Sequence, residues 1–138
     1  MDCIFCKIID GQIPSNKAFE NDDFIAILDA FPANEGHTLV IPKKHYKNIF
    51  EIDEKTISQA YVLAQKIAKA IKNTLNIENI NILQNNGETA GQSVHHFHIH
   101  VIPRLKNDTV TIKSTPVKID STKNNQIAND IKIAFEKL

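Results

Sequence analysis

The chain has 138 residues, of which 42% are hydrophobic and 23% charged, enough for one domain with its own core and ordinary for a soluble globular protein. Its 16 Lys and Arg residues balance 16 Asp and Glu residues, so it lacks the basic excess of a general nucleic-acid or anionic-membrane binder. The N-terminus, Met1-Asp2-Cys3, begins with an acid and no stretch is long enough to span a bilayer, so we expect a cytoplasmic protein without a signal peptide.

The first part of the chain predicts a short helix and two strands. Residues 3–9 are apolar and favour a brief helix or turn. Two buried strands are predicted next, Phe24–Leu28 and His37–Ile41, the second of which is closed by Pro42. The loop between them contains both Pro and Gly, so we expect the two strands to be antiparallel neighbours.

A long amphipathic helix follows these strands. Apolar residues recur at intervals of three and four from Ile57 to Leu75, which predicts a helix over about Glu54–Leu75. Asp53 suits the N-cap position, where a side-chain oxygen accepts a backbone N–H. Asn76 can adopt the left-handed conformation that commonly ends a helix.

The second half predicts two more strands and a terminal helix. Ile80–Leu83 is a third strand, which runs into a polar loop over residues 84–93 and then into a strand that Pro103 stops. Residues 106–118 are polar with interspersed β-branched residues, a pattern compatible with a loose edge strand. Apolar residues at helical spacing predict a final helix from about Thr122.

Four of the six histidines occupy six consecutive positions, from His95 to His100. His96, His98 and His100 alternate with apolar residues, and in an extended strand this period of two places all three imidazoles on one face. His95 falls in the opposite register and does not belong to this histidine row. Valine or leucine would pack better, and a buried imidazole needs partners for both nitrogens. The row therefore indicates a functional site rather than core packing.

The two cysteines suggest a metal site. Cys3 and Cys6 have the spacing with which a turn presents two thiolates to one tetrahedral ion, and mixed thiolate and imidazole ligands select zinc. His45, just past a strand end, and His96 are candidates for the other two ligands. Because Cys-x-x-Cys alone is a weak signal, two partly buried thiols are the alternative. A redox pair is disfavoured, since no strand precedes the motif.

If His96 binds a metal ion, His98 and His100 remain for chemistry. A neutral imidazole is a competent nucleophile toward phosphorus, and a neighbouring imidazolium can donate to phosphate oxygens. His37 begins another strand and could orient His98 and His100 by contacting them without touching the ligand itself.

Polar residues near the row could bind the rest of a phosphate compound. Gly91 permits a close backbone approach, Ser93 offers a hydroxyl, and Asn85 and Gln92 offer amide donors, which together could cradle an anion. An ordinary polar hairpin loop is the alternative. Asp29, at a strand end, could cap a turn or accept both hydroxyls of a ribose.

These residues together resemble the histidine triad (HIT) family, whose signature is His-φ-His-φ-His-φ-φ with φ apolar. Residues 96–102 match that signature at every position. Other segments resemble the Hint branch that carries a zinc-binding Cys-x-x-Cys: residues 3–9, 13–14, 28–29, 36–45, 85 and 91–94. The resemblance covers about residues 3–104. We therefore predict a single HIT domain over residues 1–138, in which residues 105–138 form a C-terminal extension with the terminal helix.

The resemblance implies a two-layer α+β fold, with an antiparallel sheet of about five strands, one long helix and a C-terminal helix. Two protomers are expected to form a homodimer with one larger sheet, the long helix lying near the interface. Hint-like members cleave nucleoside 5′-phosphoramidates at the α-phosphorus, and the implied substrate is a purine nucleotide of the AMP or GMP type. A dinucleoside polyphosphate hydrolase, or a nucleotide-binding regulatory protein with incidental activity, are the alternatives.

Roles carried over by position divide the histidines. His98 is the nucleophile that forms a nucleotidyl-histidine intermediate. His100 contacts the phosphate and assists the leaving group, and His96 supports the row through its backbone and through zinc. His37 matches a histidine that contacts the row from behind. No catalytic metal is required.

The resemblance also assigns binding residues. Ser93 and Gln92 are expected to contact the phosphate or leaving group, with Asn85 and Gly91 beside them. Asp29 is expected to bind the ribose hydroxyls. The residues expected to line the base pocket are Phe5, Ile8 and Leu28. The residues expected to hold a structural, closed zinc site are Cys3, Cys6, His45 and His96.

Overall fold

The computed structural model describes residues 2–138, so Met1, where the predicted domain begins, lies outside the described residues. In chain order the elements are α1 (Ile4–Ile9), β1 (Lys17–Glu20), β2 (Phe24–Leu28), β3 (Thr38–Pro42), α2 (Glu54–Leu75), β4 (Asn79–Leu83), a 3₁₀ turn (Glu88–Ala90), β5 (Ile99–Arg104) and α3 (Ser121–Phe135). The strands form one antiparallel sheet in the order β1-β2-β3-β5-β4. The predicted α+β fold is confirmed.

The long helix α2 covers one face of the sheet. Its bounds are those predicted: the Asp53 carboxylate accepts the N–H of Thr56, and Asn76 ends the helix at φ 53°. The buried side chains of α2 are Ala60, Leu63, Ala64, Ile67 and Ile71. They belong to the same core cluster as Phe97, Ile99 and Val101, which therefore face α2. The histidines between them are left to face the other way.

The short helix α1 covers the opposite face. Phe5 and Ile8 are its buried residues. They pack with the side chains of β2 and β3 that point away from α2, namely Ile25, Ile27, Leu39 and Ile41. Both faces of β2 and β3 are thus covered, which explains why their sequences are continuous apolar runs rather than alternating ones.

The histidine strand is shorter than the sequence predicts. β5 begins at Ile99, so only His100 of the histidine row lies in a regular strand, and His96 and His98 precede it. The pairing of β3 with β5 stops at Val40 opposite Ile99.

Side-chain alternation nevertheless continues before the strand. Phe97 has no exposed surface, and its N–H donates to the carbonyl of Tyr46 at 2.7 Å. The Pro42 carbonyl, at the end of β3, accepts from His96 Nε2 at 2.8 Å instead of a ladder N–H. A side chain thus takes over a backbone hydrogen bond at this point, and the chain bends over residues 94–96 before the strand begins.

The fifth strand is not where the sequence suggests. Residues 109–120 have no regular structure, so the proposed edge strand over residues 106–118 is wrong. The fifth strand is β1, whose four residues are all exposed and show no apolar alternation. Pairing with β2, rather than burial, holds β1 in place, and so the hydrophobic pattern could not reveal it.

The terminal helix is confirmed. α3 begins at Ser121, and the Asp120 carboxylate caps it by accepting from the N–H of Thr122. None of its residues is buried. Over residues 2–138, no helix has the length and apolar character needed to cross a bilayer.

Gly36 fixes the turn that leads into His37. Its φ is +87°, and a Cβ there would lie 2.6 Å from Leu75 Cδ1. Gly36→Ala should lower the unfolding free energy by roughly 1–4 kcal/mol, since left-handed strain costs about 1–3 kcal/mol and the Leu75 methyl group, the end of a flexible side chain, must also shift. Gly11→Ala is the matched control, because its φ is +79° but nothing lies within 4 Å of the added Cβ. Urea unfolding that shows equal losses in both variants would contradict the packing explanation.

Candidate active site and metal site

A cavity of about 410 Å³ opens on the face of the sheet that carries the histidine row. Its apolar lining comes from α1, the segment after it, β2, β3 and the loop before the row: Ile4, Phe5, Ile8, Pro14, Ile27, Leu28, Ala30, Phe31, Leu39 and Val94. Its polar lining is Ser15, Asn16, Asp29, Ser93, His98 and His100. The volume suits a small organic ligand, and an apolar wall facing a few convergent polar groups is the usual form of such a site.

One ring nitrogen of His98 forms a hydrogen bond with the backbone. Its Nδ1–H donates to the carbonyl of His96 at 2.7 Å. The neutral ring therefore carries its proton on Nδ1 and keeps a lone pair on Nε2. The Phe5 ring meets the His98 ring edge-on, with centroids 4.9 Å apart and an interplanar angle of 82°. The side chain is thus fixed from two sides, one polar and one apolar.

His37 and His100 form a hydrogen-bonded pair with a defined proton order. The N–H of Ala33 donates to His37 Nδ1 at 3.0 Å, so the proton of neutral His37 is on Nε2. His37 Nε2–H donates to His100 Nδ1 at 2.9 Å. His100 therefore carries its own proton on Nε2. Asp29 Oδ2 lies 3.5 Å from His37 Nε2 and adds a nearby negative charge.

Burial keeps these imidazoles neutral. It lowers the pKa of His98 below its usual 6.5, against the opposing effects of the His96 carbonyl and Asp29. Burial, with a smaller repulsion from His98 and His37, lowers the pKa of His100 to about 4. Burial also lowers the pKa of His37. Near neutral pH the cluster thus offers an unprotonated nitrogen on His98 and a donor N–H on His100.

These lowered pKa values predict a pH dependence of stability. The unfolded chain takes up protons at 6.5, whereas folded His100 resists them down to about 4, so protonation favours unfolding in that window. We expect the unfolding free energy to fall as the pH drops below 6.5. Urea unfolding at several pH values above about 5, where most carboxyls stay ionised, should show this fall. His100→Gln should make this fall smaller without removing it, because the pKa values of His37, His96 and His98 are lowered too, and a wild-type curve already flat there would contradict the prediction.

Two cysteines and two histidines converge beside the histidine row. The Sγ atoms of Cys3 and Cys6 and one nitrogen each of His45 and His96 all lie within 4.8 Å of one another. His96 Nδ1 lies 3.4 Å from Cys3 Sγ, 3.6 Å from Cys6 Sγ and 3.0 Å from His45 Nδ1. The structure thus brings together the four predicted ligands, which we call the four-ligand group.

The four-ligand group fits a tetrahedral zinc ion. Zinc bonds of about 2.3 Å to sulfur and about 2.0–2.1 Å to nitrogen place tetrahedral donors about 3.3–3.8 Å apart. His96 Nε2–H donates to the Pro42 carbonyl, which leaves Nδ1 unprotonated and turned toward the thiols. Burial lowers the pKa of His96 to about 4 and, with Cys3 beside it, raises the pKa of the Cys6 thiol to about 11. A metal must therefore displace a thiol proton but finds His96 already neutral.

A second group of possible metal ligands, Asp29, His37 and His100, is better explained by hydrogen bonding. Three of its donor atoms also lie within 4.8 Å of one another. However, His37 Nδ1 is occupied by the Ala33 N–H, so the nitrogen facing the group carries the proton. A metal there would require loss of that proton to give an anionic ring. The geometry favours a proton-ordered chain instead.

Three predicted binding residues do not line the cavity: Asn85, Gly91 and Gln92. Gln92 is 3% exposed, and its amide is used by the backbone. Its Oε1 accepts from Gly87 N–H at 2.8 Å, and its Nε2 donates to Lys47 and Val94 carbonyls. Gln92 thus shapes the loop that presents Ser93, which does line the cavity.

Sequence reasoning missed part of the cavity wall, the segment Pro14–Asn16. The Ser15 hydroxyl is buried without a hydrogen-bond partner in residues 2–138. Nothing in the local sequence distinguishes this Ser from an ordinary turn residue, so no signal could have singled it out.

An α+β fold with His98 and His100 at the wall of a cavity defines a class of small proteins with a ligand site lined by histidines. Residues 10–107 match the HIT domain family model, and the chain belongs to the HIT domain family. "Protein hit" of Bacillus subtilis is 48% identical over 103 residues, covering 75% of this chain and 71% of that protein. "Adenosine 5′-monophosphoramidase HNT1" of Saccharomyces cerevisiae is 40% identical over 116 residues, covering 84% of this chain and 71% of that protein.

Solved structures share the fold. A HIT family protein from Bacillus anthracis superposes with a TM-score of 0.90 at 42% identity, over 96% of each chain. A zinc-bound histidine triad family protein from Mycobacterium smegmatis superposes with a TM-score of 0.77 at 36% identity, over 85% of each chain.

Proposed function

We propose that this protein cleaves nucleoside 5′-phosphoramidates at the α-phosphorus, with His98 as the nucleophile. The observation that carries the proposal is the hydrogen bond from His98 Nδ1 to the His96 carbonyl, which leaves Nε2 free at the wall of the cavity. The neighbouring His100, 4.9 Å from His98 between ring centroids, supplies the donor that a leaving amine requires. The yeast relative named as an adenosine 5′-monophosphoramidase supports this substrate class.

The reaction proceeds in two displacements. In the first, the anionic phosphate favours the protonated form of His100, His98 Nε2 forms a bond to phosphorus, and the P–N bond breaks as the amine takes the Nε2 proton of the His100 imidazolium, which becomes neutral. In the second, water attacks phosphorus and returns a proton to His100, and the P–Nε2 bond breaks to release the nucleoside monophosphate. Two lower barriers replace one high barrier, and the covalent step needs a nucleophile that is neutral at working pH. Burial of the row provides that neutrality.

The rest of the cavity positions the nucleotide. Phe5, Ile8 and Leu28 form an apolar wall for a purine base. Asp29 accepts the N–H of Phe31 with Oδ1 at 2.9 Å, which fixes its carboxylate. Its remaining lone pairs can accept the two ribose hydroxyls. Ser93 is exposed and lines the cavity, which supports a contact from its hydroxyl to the phosphate or the leaving group.

We propose that the four-ligand group holds a structural zinc ion. The zinc-bound relative from Mycobacterium smegmatis supports this metal. The protein supplies all four ligands, so no coordination position is left for a catalytic water. When bound, the ion would cross-link the chain and supply no reaction chemistry: it would join Cys3, the N-cap residue of α1, and Cys6 on α1 to His45 and His96.

We also propose a homodimer formed through β4. This strand is an edge of the sheet, with one side unpaired, and Ile82 on it is 44% exposed. An exposed edge with an apolar residue is a ready template for pairing with another copy. Antiparallel pairing of two β4 strands would give one continuous sheet of two protomers.

A substrate comparison tests the proposed activity. We expect kcat/KM for adenosine 5′-phosphoramidate to exceed that for a diadenosine polyphosphate by at least about tenfold, a difference of about 1.4 kcal/mol in transition-state binding. The reverse order would favour a dinucleoside polyphosphate hydrolase. Tight AMP binding without turnover of either substrate would favour a nucleotide-binding regulatory protein.

A further inference from the structure

We propose that the four-ligand group and the nucleophile are coupled, so that bound zinc holds His98 in its reactive orientation and closes the wall of the nucleotide cavity. This inference rests on the proposed function for its nucleotide half only. Two separate connections between the metal site and His98 support the proposed coupling. One runs through the backbone of His96 and the other through Phe5 on α1.

The first connection is a single residue that serves both sites. His96 Nδ1 belongs to the four-ligand group, while the His96 carbonyl accepts from His98 Nδ1–H at 2.7 Å. The ring cannot adjust independently, because it is fully buried and its Nε2–H is bound to the Pro42 carbonyl at 2.8 Å. A change in the position of the His96 ring therefore moves the carbonyl that sets the proton and the orientation of His98.

The second connection runs through α1. Cys3 and Cys6 bracket Phe5, whose ring lies 4.9 Å from the His98 ring and 5.9 Å from the His96 ring. α1 has only six residues and no side-chain cap at its N-terminus. Such a short helix has little stability of its own and depends on its attachments. A metal that joins the two cysteines to the sheet therefore fixes Phe5 against the nucleophile.

Both ligands favour the same arrangement of α1. Zinc requires the cysteines close to His96, and a nucleotide in the cavity would contact Phe5 and His98, which line it when α1 is docked. Binding of one ligand thus reduces the cost of ordering α1 for the other. Linkage then requires that AMP raise the affinity for zinc by the same factor with which zinc raises the affinity for AMP.

The first experiment uses no nucleotide. The ¹H–¹⁵N signal of the His98 Nδ1–H is compared in zinc-loaded and chelator-stripped protein. We expect its solvent exchange to be at least about fivefold faster without zinc, because local opening becomes easier. His37 Nε2–H is the internal control, since its partner His100 lies outside both connections. Equal exchange of the His98 proton in the two forms would overturn the coupling.

The second experiment measures zinc affinity by competition with a chromophoric chelator. It starts from zinc-loaded protein, so it tests the coupling even if the zinc-free protein unfolds. We expect saturating AMP to raise the affinity about tenfold, within the usual range of coupling. Phe5→Ala should remove most of this increase and Phe5→Leu, which keeps an apolar contact, should retain more of it. Inorganic phosphate in place of AMP is the ligand control.

The outcomes separate this inference from the proposed function. AMP that binds by equilibrium dialysis but leaves the zinc affinity unchanged overturns the coupling and leaves the proposed function standing. AMP that fails to bind overturns the proposed function, and the exchange of the His98 proton then decides the coupling by itself.

Discussion

His98→Ala is expected to lower kcat/KM for adenosine 5′-phosphoramidate by at least about 10⁴-fold, since it removes the group that forms the covalent bond. Water attacking directly would have to replace a nucleophile already held in place by His96 and Phe5. The loss should appear in kcat rather than in KM, because the apolar wall and Asp29 remain to bind the nucleotide.

The fold should survive this substitution. His98 precedes β5 and borders a cavity, so truncation enlarges an existing space rather than opening a new one in the core. Circular dichroism and AMP binding should therefore stay close to wild type. His95→Ala is the matched control, because it removes a nearby imidazole that does not belong to the histidine row. The His95 side chain is 44% exposed, and its loss should leave turnover unchanged. Turnover by His98→Ala near the wild-type rate would rule out His98 as the nucleophile.

Replacing both cysteines, Cys3→Ser with Cys6→Ser, is expected to abolish zinc binding. Wild-type protein should contain about one zinc per chain, as a four-ligand site implies. Because the metal's binding free energy adds to the folding free energy, the variant should be less stable by several kcal/mol, a part of the roughly 10–16 kcal/mol that structural zinc supplies in zinc-finger peptides. Elemental analysis and urea unfolding measure the two effects.

The stability loss has an internal control. Wild-type protein stripped with a chelator should unfold like the double variant, since both lack the same cross-link, and zinc should restore only the wild type. A double variant that retains a full zinc complement would exclude Cys3 and Cys6 as ligands. A stripped wild type as stable as the loaded form would show that packing of Phe5 and Ile8 alone holds α1.

The sequence predicted most of the fold where a local rule and the tertiary structure agree. The ends of α2 were predicted correctly because Asp53 and Asn76 have capping chemistry that is local. β1 was missed because it is held only by pairing with β2, a contact that hydrophobic periodicity does not report. The segment 106–118 has β-branched residues but no strand, and most of its residues are exposed, so its β-branched residues reflect neither burial nor pairing.

The sequence predicted which cysteines and histidines lie close together, but not how their ring nitrogens and protons are arranged. The spacing of His96, His98 and His100 predicted that all three lie on one face of the sheet. They do so even though β5 starts only at Ile99. The proton order of the imidazoles could not be predicted, because it depends on carbonyls and N–H groups that are distant in sequence, such as Pro42 for His96. For the same reason the sequence could not show that the Gln92 amide is already used by the backbone.

The covalent intermediate provides the most direct test of the account. Protein mixed with adenosine 5′-phosphoramidate and quenched in alkali, where phosphohistidine bonds persist, is digested and analysed by tandem mass spectrometry. We expect one AMP moiety on the peptide that spans the histidine row, attached to His98, and none in the His98→Ala variant. An adduct on His96 or His100, or turnover with no adduct at any quench time, would contradict the proposed mechanism.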